Sequence, residues 1–552
     1  MPNLEVSKKD LEGMLAQKFS KEKLEETLEY IKGEIDSLEG DALRIDCKET
    51  NRPDLWSAEG IARELKARMG KEKGIKEYKV SKSSVDVFIN SNLEKVRPLI
   101  ACAVVKDLKI TPDLLLQVIQ LQEKVGENYG RKRKEVGIGL YDFDILQPPV
   151  YYKGFKDDEI QFVPLEWRVQ LRPSEILAQH EKGKVYRHLL EGAEFYPIVI
   201  DANRTVASMP PIINSNTTGK VTEKTRNLFI EVTGFKWETV ETALEVICMA
   251  LADRGGKICS CKLHFPSDKK PYPAKQLFTP VFSTEKMSFD KEIINQKTGL
   301  GLKDKEIVDL LEKARYNVSI KGKKITVEYP SYRTDLMHPV DVIEDLLISF
   351  GFNNIVPQKV ELNVSGSQLR KALFNDFVRE GCAGLGLQEV MTYNLTSKQI
   401  QANNMKLEND SFVELANPVS LNYEILRKRI SPQLLDFLSK NKDKEFPQRI
   451  FEIGTCLSLD TKAENGVLQS TTLCIALTHS NVNFTEIKSV LISLCKYLGF
   501  SCEVKKKQFS FLGENSAEVI INGKKGFVGE LKQDVVDAFG LRKPVALLEF
   551  EL

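Results

Sequence analysis

Four carboxylates are clustered in the segment YPSYRTDLMHPVDVIEDLLISFGF. Asp341, Glu344 and Asp345 fall within about 100° of one another on a predicted helix, and Asp335 lies on the loop that leads into it. Carboxylates one helical turn apart repel each other by a few tenths of a kcal/mol, and a hard divalent cation would offset this repulsion far better than the helix dipole does. Ligand sets made only of oxygen favour magnesium. The spacing leaves two interpretations open, a magnesium site and a solvated acidic helix start.

A second set of polar residues surrounds a rigid bend, which two prolines form directly after Ser208 and Met209. The predicted strand NLFIEVTG then carries Glu231 and Thr233 on one face, because side chains two apart on a strand point the same way. Such groups could line a small polar pocket, although an ordinary turn and surface would use the same residues. The bend itself is followed by amides and hydroxyls, namely Asn214, Ser215, Asn216, Thr217 and Thr218.

Cysteine and glycine patterns argue against several other kinds of site. The ten cysteines form no C-x-x-C pair, so neither a zinc knuckle nor a thioredoxin-type site is indicated. Cys259, Cys261 and His264 come closest to a metal pattern, but they lack an evident fourth ligand and fit ordinary buried thiols of a reducing compartment. The sequence also contains no Walker phosphate loop, no G-x-G-x-x-G and no G-x-S-x-G elbow.

The balance of charges limits the class of partner. Lysine and arginine number 79 and aspartate and glutamate 78, so the net charge of +1 excludes a protein held to nucleic acid by bulk charge. Arg427, Lys428 and Arg429 form either a local site for a phosphate or an RNA backbone, or a solvated helix start. No apolar run approaches the roughly 18 residues that span a bilayer, and the start of the chain lacks the apolar core of a secretory signal. We therefore expect a cytoplasmic protein with no membrane partner.

The elements that must position these residues follow from length and periodicity. A chain of 552 residues that is 42% hydrophobic and 28% charged is typical of a soluble protein with about three or four domains. In ETNRPDLWSAEGIAREL, Asn51 or Asp54 is predicted to cap a helix. The charged segment KEKGIKEYKVSKSS is predicted to be a linker. The predicted domains have the following boundaries: 1–84, 85–270, 275–357 and 358–552. The first of them includes this linker.

Four segments, taken together, resemble one family, the beta subunit of phenylalanyl-tRNA synthetase in its archaeal and eukaryotic form. They occur in the family's order and cover nearly the whole chain. The length also fits, because bacterial beta subunits are much longer. In chain order the segments are NRPDLWSAEGIAREL, MPPIINSNTT followed by LFIEVTG, YPSYRTDLMHPVDVIEDLLISFGFNNI, and ANPVSLNYEILRKRISPQLLDFL followed by RIFEIGTC.

The resemblance implies a class II aminoacyl-tRNA synthetase that works as a heterotetramer of two alpha and two beta chains. The complex attaches phenylalanine to tRNA(Phe) using ATP and magnesium. The alpha subunit binds ATP and phenylalanine and carries the synthetic active site, so no synthetic catalytic residue is expected in this chain. The implied fold is α+β and multidomain: an amino-terminal α/β domain, a mixed α/β editing domain of the B3/B4 type, a small winged-helix-like B5 domain, and a catalytic-like antiparallel sheet with helices.

The resemblance also assigns roles to individual residues. The family's magnesium site, shared with alpha, falls on Asp335, Asp341, Glu344 and Asp345. The family's editing pocket, which hydrolyses mischarged tyrosyl-tRNA(Phe), falls on Ser208, Glu231 and Thr233. Many relatives have aspartate where this chain has Glu231, whose side chain is longer by one methylene. Two other classes of function are a free-standing, metal-dependent nucleic-acid-binding protein and a purely structural scaffold.

Overall fold

The computed structural model describes residues 2–408 and 410–552. The chain divides into two compact units, of which the first ends at Lys359 and the second begins at Val360. The first unit begins with a three-stranded antiparallel sheet, ordered β1-β3-β2, and three helices. The Ser7 side chain accepts a hydrogen bond from the Asp10 amide and caps the first helix. The elements are β1 (Asn3–Ser7), α1 (Lys8–Leu15), α2 (Lys21–Leu28), β2 (Gly33–Glu39), β3 (Ala42–Cys47) and α3 (Ala58–Arg68).

The third helix begins later than predicted. Its cap is Ser57, whose side chain accepts a hydrogen bond from the Gly60 amide, rather than Asn51 or Asp54. Pro53, Asp54 and Leu55 form a 3₁₀ turn of their own before the helix starts. This turn buries Asp54, so its carboxylate is engaged elsewhere.

A ten-stranded mixed sheet forms the centre of the first unit, in the order β10-β9-β8-β7-β4-β12-β5-β11-β6 with β13 paired to β12. β5 and β11 are buried along nearly their whole length, and helix α7 packs on them. The strands are β4 (Val80–Ile89), β5 (Leu99–Lys106), β6 (Val136–Asp142), β7 (Val150–Phe155), β8 (Tyr196–Ile200), β9 (Val206–Met209), β10 (Ile213–Asn214), β11 (Leu228–Gly234), β12 (Lys257–His264) and β13 (Gln276–Thr279). The helices are α4 (Pro112–Lys124), α5 (Pro173–Gln179), α6 (Glu181–Tyr186) and α7 (Trp237–Asp253).

Strand β4 begins inside the segment that the composition predicts to be a linker, because Val80, Ser81 and Lys82 pair in parallel with β12. All ten cysteines lie in the described residues and are free thiols. His264 Nε2 lies at hydrogen-bond distance, 2.6 Å, from Asp86 Oδ1. Within the residues described, no helix is long and apolar enough to cross a membrane.

The first unit ends with a small three-stranded sheet, ordered β14-β16-β15, and three helices around a core of their own. Val342, Ile343 and Leu346 of the last helix are buried in that core, as the apolar periodicity predicts. The elements are β14 (Thr284–Asp290), α8 (Glu292–Thr298), α9 (Asp304–Lys313), β15 (Asn317–Lys321), β16 (Lys324–Pro330) and α10 (Pro339–Phe350).

The second unit is built on a seven-stranded sheet ordered β17-β20-β21-β25-β24-β23-β22. All its pairings are antiparallel except that of β17 with β20, and separate cores cover its two faces. Its strands are β17 (Gln388–Glu389), β18 (Leu395–Thr396), β19 (Ile425–Leu426), β20 (Gln448–Leu459), β21 (Val467–Thr478), β22 (Cys502–Lys506), β23 (Leu512–Ile521), β24 (Lys524–Leu531) and β25 (Val545–Glu551). Its helices are α11 (Arg370–Gly384), α12 (Ser431–Lys440), α13 (Phe484–Leu498) and α14 (Gln533–Ala538).

Candidate active site

A cavity of about 620 Å³ lies where the two end strands of the ten-stranded sheet approach each other. The Asn214 side chain on β10 donates a hydrogen bond from Nδ2 to the Leu140 carbonyl on β6, at 3.2 Å. The cis Pro210-Pro211 bend places its residues on the wall of this cavity. The polar bend and the carboxylate strand of the sequence therefore face one space.

Glu231 is the buried acid of this cavity. It lies on β11 between β5 and β6 and is only 2% exposed. Its Oε1 is hydrogen-bonded, whereas its buried Oε2 has no partner among the residues that the structure describes. Burial raises the pKa of Glu231 to about 7, and the Tyr141 hydroxyl and the Arg97 guanidinium offset only part of this effect. The cavity wall thus carries a carboxyl group that titrates near neutrality and has one unsatisfied oxygen.

Tyr141 joins Glu231 to Ser208. Its phenol oxygen lies 2.7 Å from Ser208 Oγ and 3.0 Å from Glu231 Oε1. Gly139, on the same face of β6, provides the space for this contact, because a Cβ there would overlap the Tyr141 hydroxyl. Our sequence reasoning missed both residues. The signal for them was the alternation of two glycines and a tyrosine in VGIGLYD, which is unusual for a strand interior.

Thr233 does not join Ser208 and Glu231 on the cavity wall. Its Oγ1 accepts a hydrogen bond from Arg97 Nε at 2.9 Å, and its carbonyl accepts another from Arg97 Nη2 at 2.7 Å. Burial lowers the pKa of Arg97 to about 10. The structure therefore brings together two of the three predicted pocket residues, and the third fixes a buried arginine beside them.

Replacing Glu231 with glutamine is expected to stabilise the first unit at about pH 8 but not at about pH 4. Since the folded-state pKa is raised from 4.5 to about 7, the unfolded chain releases this proton first as the pH rises. The free energy of unfolding of the wild type therefore falls between these two pH values, by about 3 kcal/mol, whereas glutamine does not ionise. Thermal unfolding of both proteins across this range measures the effect. A difference that is constant with pH would contradict it.

The four clustered carboxylates do not converge. Asp345 is 4% exposed rather than solvated, and its Oδ1 lies 2.6 Å from Arg68 Nη2. Its Oδ2 lies 2.7 Å from Arg333 Nη2 and accepts the Tyr316 hydroxyl at 2.7 Å. Burial alone would raise the pKa of Asp345, but the guanidinium groups of Arg333 and Arg68 outweigh it and hold this pKa well below its usual range. The expectation that Asp345 shares a solvated acidic face is wrong.

The other three carboxylates have separate partners. Asp335 forms an ion pair with Arg333, and Asp341 accepts the amides of Met337 and His338 at the start of α10. Glu344 is half exposed and pairs with Lys32. No group of three or more His, Cys, Asp or Glu side chains in residues 2–408 and 410–552 is arranged to hold a metal ion. In this arrangement the four residues do not fit a shared cation, and the magnesium assignment stays a prediction.

The NRPDLW segment supplies the other half of the charges around Asp345. Arg52 makes two hydrogen bonds of 2.8 Å to Asp54, and its Nη2 lies 3.4 Å from Glu64. Glu64 in turn lies 2.8 Å from Arg68, which reaches Asp345. We call the chain of contacts from Arg52 to Asp345 and Arg333 the buried ion network. It joins two sequence motifs that are far apart in the chain.

Known proteins match this chain along its whole length. Residues 287–352 match the family model for the tRNA synthetase B5 domain, and residues 355–552 match that for the phenylalanyl tRNA synthetase beta chain CLM domain. The phenylalanine–tRNA ligase beta subunit of Thermococcus sibiricus is 41% identical over 558 residues, which cover 100% of this chain and 98% of the relative. That of Pyrococcus horikoshii is also 41% identical, covering 100% and 99%.

The chain belongs to the phenylalanyl-tRNA synthetase beta-subunit family. A solved amino-terminal fragment of the Pyrococcus horikoshii beta subunit superimposes with a TM-score of 0.61 and 44% identity, over 64% of this chain and 100% of the fragment. The resemblance read from the four segments is therefore confirmed. The protein is a mixed α/β, multidomain subunit of an aminoacyl-tRNA synthetase, a ligase of protein biosynthesis.

In the CLM domain of this beta subunit, the three candidate phosphate-binding cations form ion pairs with acids of the same domain. Arg427 is buried, lies 2.6 Å from Glu452 and donates to the Thr455 carbonyl. Lys428 and Arg429 both pair with Asp410. Neither interpretation of these three residues from sequence holds for Arg427, because its guanidinium closes an internal ion pair.

Proposed function

We propose that this chain is the editing subunit of a phenylalanine–tRNA ligase and hydrolyses tyrosyl-tRNA(Phe) in the cavity beside Glu231. The observation that carries the proposal is the unpaired Oε2 of Glu231, a buried oxygen on a cavity wall. Buried polar atoms without partners are costly, so a ligand that supplies a hydroxyl there is favoured.

Tyrosine and phenylalanine differ by one hydroxyl, which determines where they can be separated. An apolar synthetic pocket rejects an added hydroxyl only about a hundredfold. A site built to pair with that hydroxyl discriminates in the opposite direction, because phenylalanine would leave Glu231 desolvated and unpaired. Glu231 is therefore assigned to accept the tyrosine hydroxyl, and Tyr141 to hold Glu231 in place.

Water is the proposed attacking group. Ser208 Oγ, which would otherwise be a candidate nucleophile, is held by Tyr141. His180 also lines the cavity, but its Nδ1 accepts the Lys182 amide and its Nε2 lies 3.3 Å from the Leu165 carbonyl. A histidine engaged at both nitrogens is a poor general base. Ser208 is left to orient the ester or the water, while Thr233 positions Arg97.

The synthetic site is proposed to lie in an alpha subunit, which binds ATP and phenylalanine, within a cytoplasmic heterotetramer of two alpha and two beta chains. The internal ion pair of Arg427 supports this division, since the residue cannot also bind a phosphate. Near the β18–β19 pair, large apolar side chains are exposed as in an uncovered protein interface, namely Met391, Tyr393, Val419 and Leu421. The magnesium implied by the resemblance takes no part in the hydrolysis proposed for this chain.

The purified chain alone is expected not to form phenylalanyl-tRNA, and addition of the alpha subunit is expected to restore charging. Co-purification of the two chains followed by aminoacylation of tRNA(Phe) tests this. Charging by the isolated chain would contradict the division of labour. A stable complex that charges tRNA but shows no hydrolysis of tyrosyl-tRNA(Phe) would leave this chain only a scaffolding role.

A further inference from the structure

Four consecutive cations, Arg131 to Lys134, form a turn that the proposed function has not used. They follow a π-helical turn, Val125–Tyr129, that extends α4. Arg131, Lys132 and Arg133 all have left-handed backbones, with φ values of 48°, 55° and 62°. Non-glycine residues rarely adopt this conformation, and three in succession are held only where the surroundings impose them.

Hydrogen bonds to the π-helical turn impose this conformation. The Lys132 amide donates to the Glu127 carbonyl and the Arg133 amide to the Gly126 carbonyl, both at 2.8 Å. Gly130 allows the close approach, because a Cβ there would lie 2.5 Å from the Gly126 oxygen and 2.6 Å from the Val136 oxygen. The chain is thus folded to present these cations in one fixed arrangement.

Arg133 anchors the turn on the wall of the cavity. Its Nη1 donates to the carbonyls of Pro211 and Ile212, at 3.2 and 3.0 Å, and its guanidinium lies 4.2 Å from the centre of the Tyr186 ring. The Lys134 carbonyl accepts a hydrogen bond from Arg97, which also holds Thr233 beyond Glu231 on β11. The turn is therefore fixed to the cavity wall through Arg133 and to the buried Arg97 through Lys134.

The side chains of the other three cations do not anchor the turn in this way. Arg131, Lys132 and Lys134 are exposed, and none forms an ion pair within the part of the chain that the structure describes. Of the neighbouring acids, Glu123 pairs with Lys182 and Glu127 accepts the Tyr186 hydroxyl, whereas Glu135 directly follows the four cations. In a chain whose net charge is only +1, four consecutive cations next to one acid are a local excess of positive charge, and Arg133 within them lines the cavity.

We propose that Arg131, Lys132 and Lys134 bind the backbone phosphates of the single-stranded 3′ end of tRNA while its aminoacyl ester enters the cavity. The inference rests on the proposed editing function. The ester that is cleaved is attached to the terminal nucleotide, so the phosphates next to it must lie close to the cavity mouth. Cations along such a path fix the position of the strand without reading its sequence.

The test compares two triple variants of the alpha–beta complex. The first is Arg131→Asn, Lys132→Asn and Lys134→Gln, in which asparagine tolerates the left-handed backbone and Arg133 is kept. The control removes equal charge from exposed lysines that do not line the cavity, as Lys269→Asn, Lys270→Asn and Lys275→Gln. Hydrolysis is measured on tyrosyl-tRNA(Phe) at several salt concentrations and on 3′-O-tyrosyl-adenosine, which has no phosphate.

In the first variant, the KM for tyrosyl-tRNA(Phe) is expected to rise roughly tenfold or more with little change in kcat, and the salt dependence of log(1/KM) to become shallower by about 2. Hydrolysis of 3′-O-tyrosyl-adenosine should match the wild type, and the control variant should show neither change. An unchanged KM and salt dependence would overturn the proposal, as would an equal loss on 3′-O-tyrosyl-adenosine. If the wild-type complex cleaves neither substrate, the editing function itself fails.

Discussion

Glu231→Ala is expected to slow hydrolysis of tyrosyl-tRNA(Phe) by the alpha–beta complex roughly a hundredfold or more, with no change in charging of phenylalanine. The substitution removes the only buried carboxyl group assigned to the tyrosine hydroxyl and releases Tyr141 from one of its two partners. Pre-formed tyrosyl-tRNA(Phe) is supplied to the complex, and loss of the ester is followed with time. Charging of phenylalanine is measured on the same preparation.

The pH dependence separates a role in recognition from one in packing. The pKa of Glu231 is about 7, so its carboxylate form, which accepts the tyrosine hydroxyl, becomes dominant above neutrality. The ratio of the wild-type rate to that of Glu231→Gln should therefore increase as the pH rises through about 7 and then level off. Equal hydrolysis by wild type and Glu231→Ala would remove Glu231 from the site. Absence of hydrolysis in both would mean that the cavity does not edit.

Asp345→Asn is expected to destabilise the first unit by about 3–5 kcal/mol, because it leaves the buried guanidinium groups of Arg68 and Arg333 short of one counter-charge. The matched control is Glu344→Gln, one residue earlier in α10, whose partner Lys32 is partly exposed. That change should stay within about 0.5 kcal/mol. Thermal and urea unfolding of the complete chain measure both.

The same pair of variants tests the magnesium prediction. If Asp345 pairs only with the arginines of the buried ion network, Asp345→Asn should lose the same stability in excess magnesium and in excess chelator. A loss of stability that appears only with magnesium present would show that Asp345 is a magnesium ligand. A variant as stable as the wild type under both conditions would show that neither role holds.

Local patterns in the sequence predicted helices and strands better than they predicted which side chains would be in contact. The helical periodicity of PVDVIEDLLISFG predicts one packed face. Val342, Ile343 and Leu346 of that face are buried, and its other two members, Leu347 and Phe350, are partly buried. The same geometry groups Asp345 with Asp341 and Glu344, yet its carboxylate meets Arg68, 277 residues earlier in the chain. A helical wheel contains no information on such a contact.

The cavity shows the same division. The resemblance identified Ser208 and Glu231, and the structure places the Tyr141 hydroxyl within hydrogen-bond distance of both. Strand alternation put Thr233 on the face of Glu231, but it could not show that Arg97 would bind it first. Tyr141 was missed because a tyrosine in a strand is ordinary, and only tertiary structure shows that its hydroxyl lies between a carboxylate and a serine.

The buried ion network also has a consequence for synthesis of the chain on the ribosome. Arg68 is translated long before Asp345, and at 5–20 residues per second the 277 intervening residues take about 15–60 s to make. During that interval Arg68 has Glu64 of α3 as a partner but lacks its second carboxylate, Asp345, so the free side of its guanidinium stays in contact with water. The amino-terminal domain therefore cannot reach its final packing as it emerges, and it must wait, partly hydrated, for the small domain to be translated.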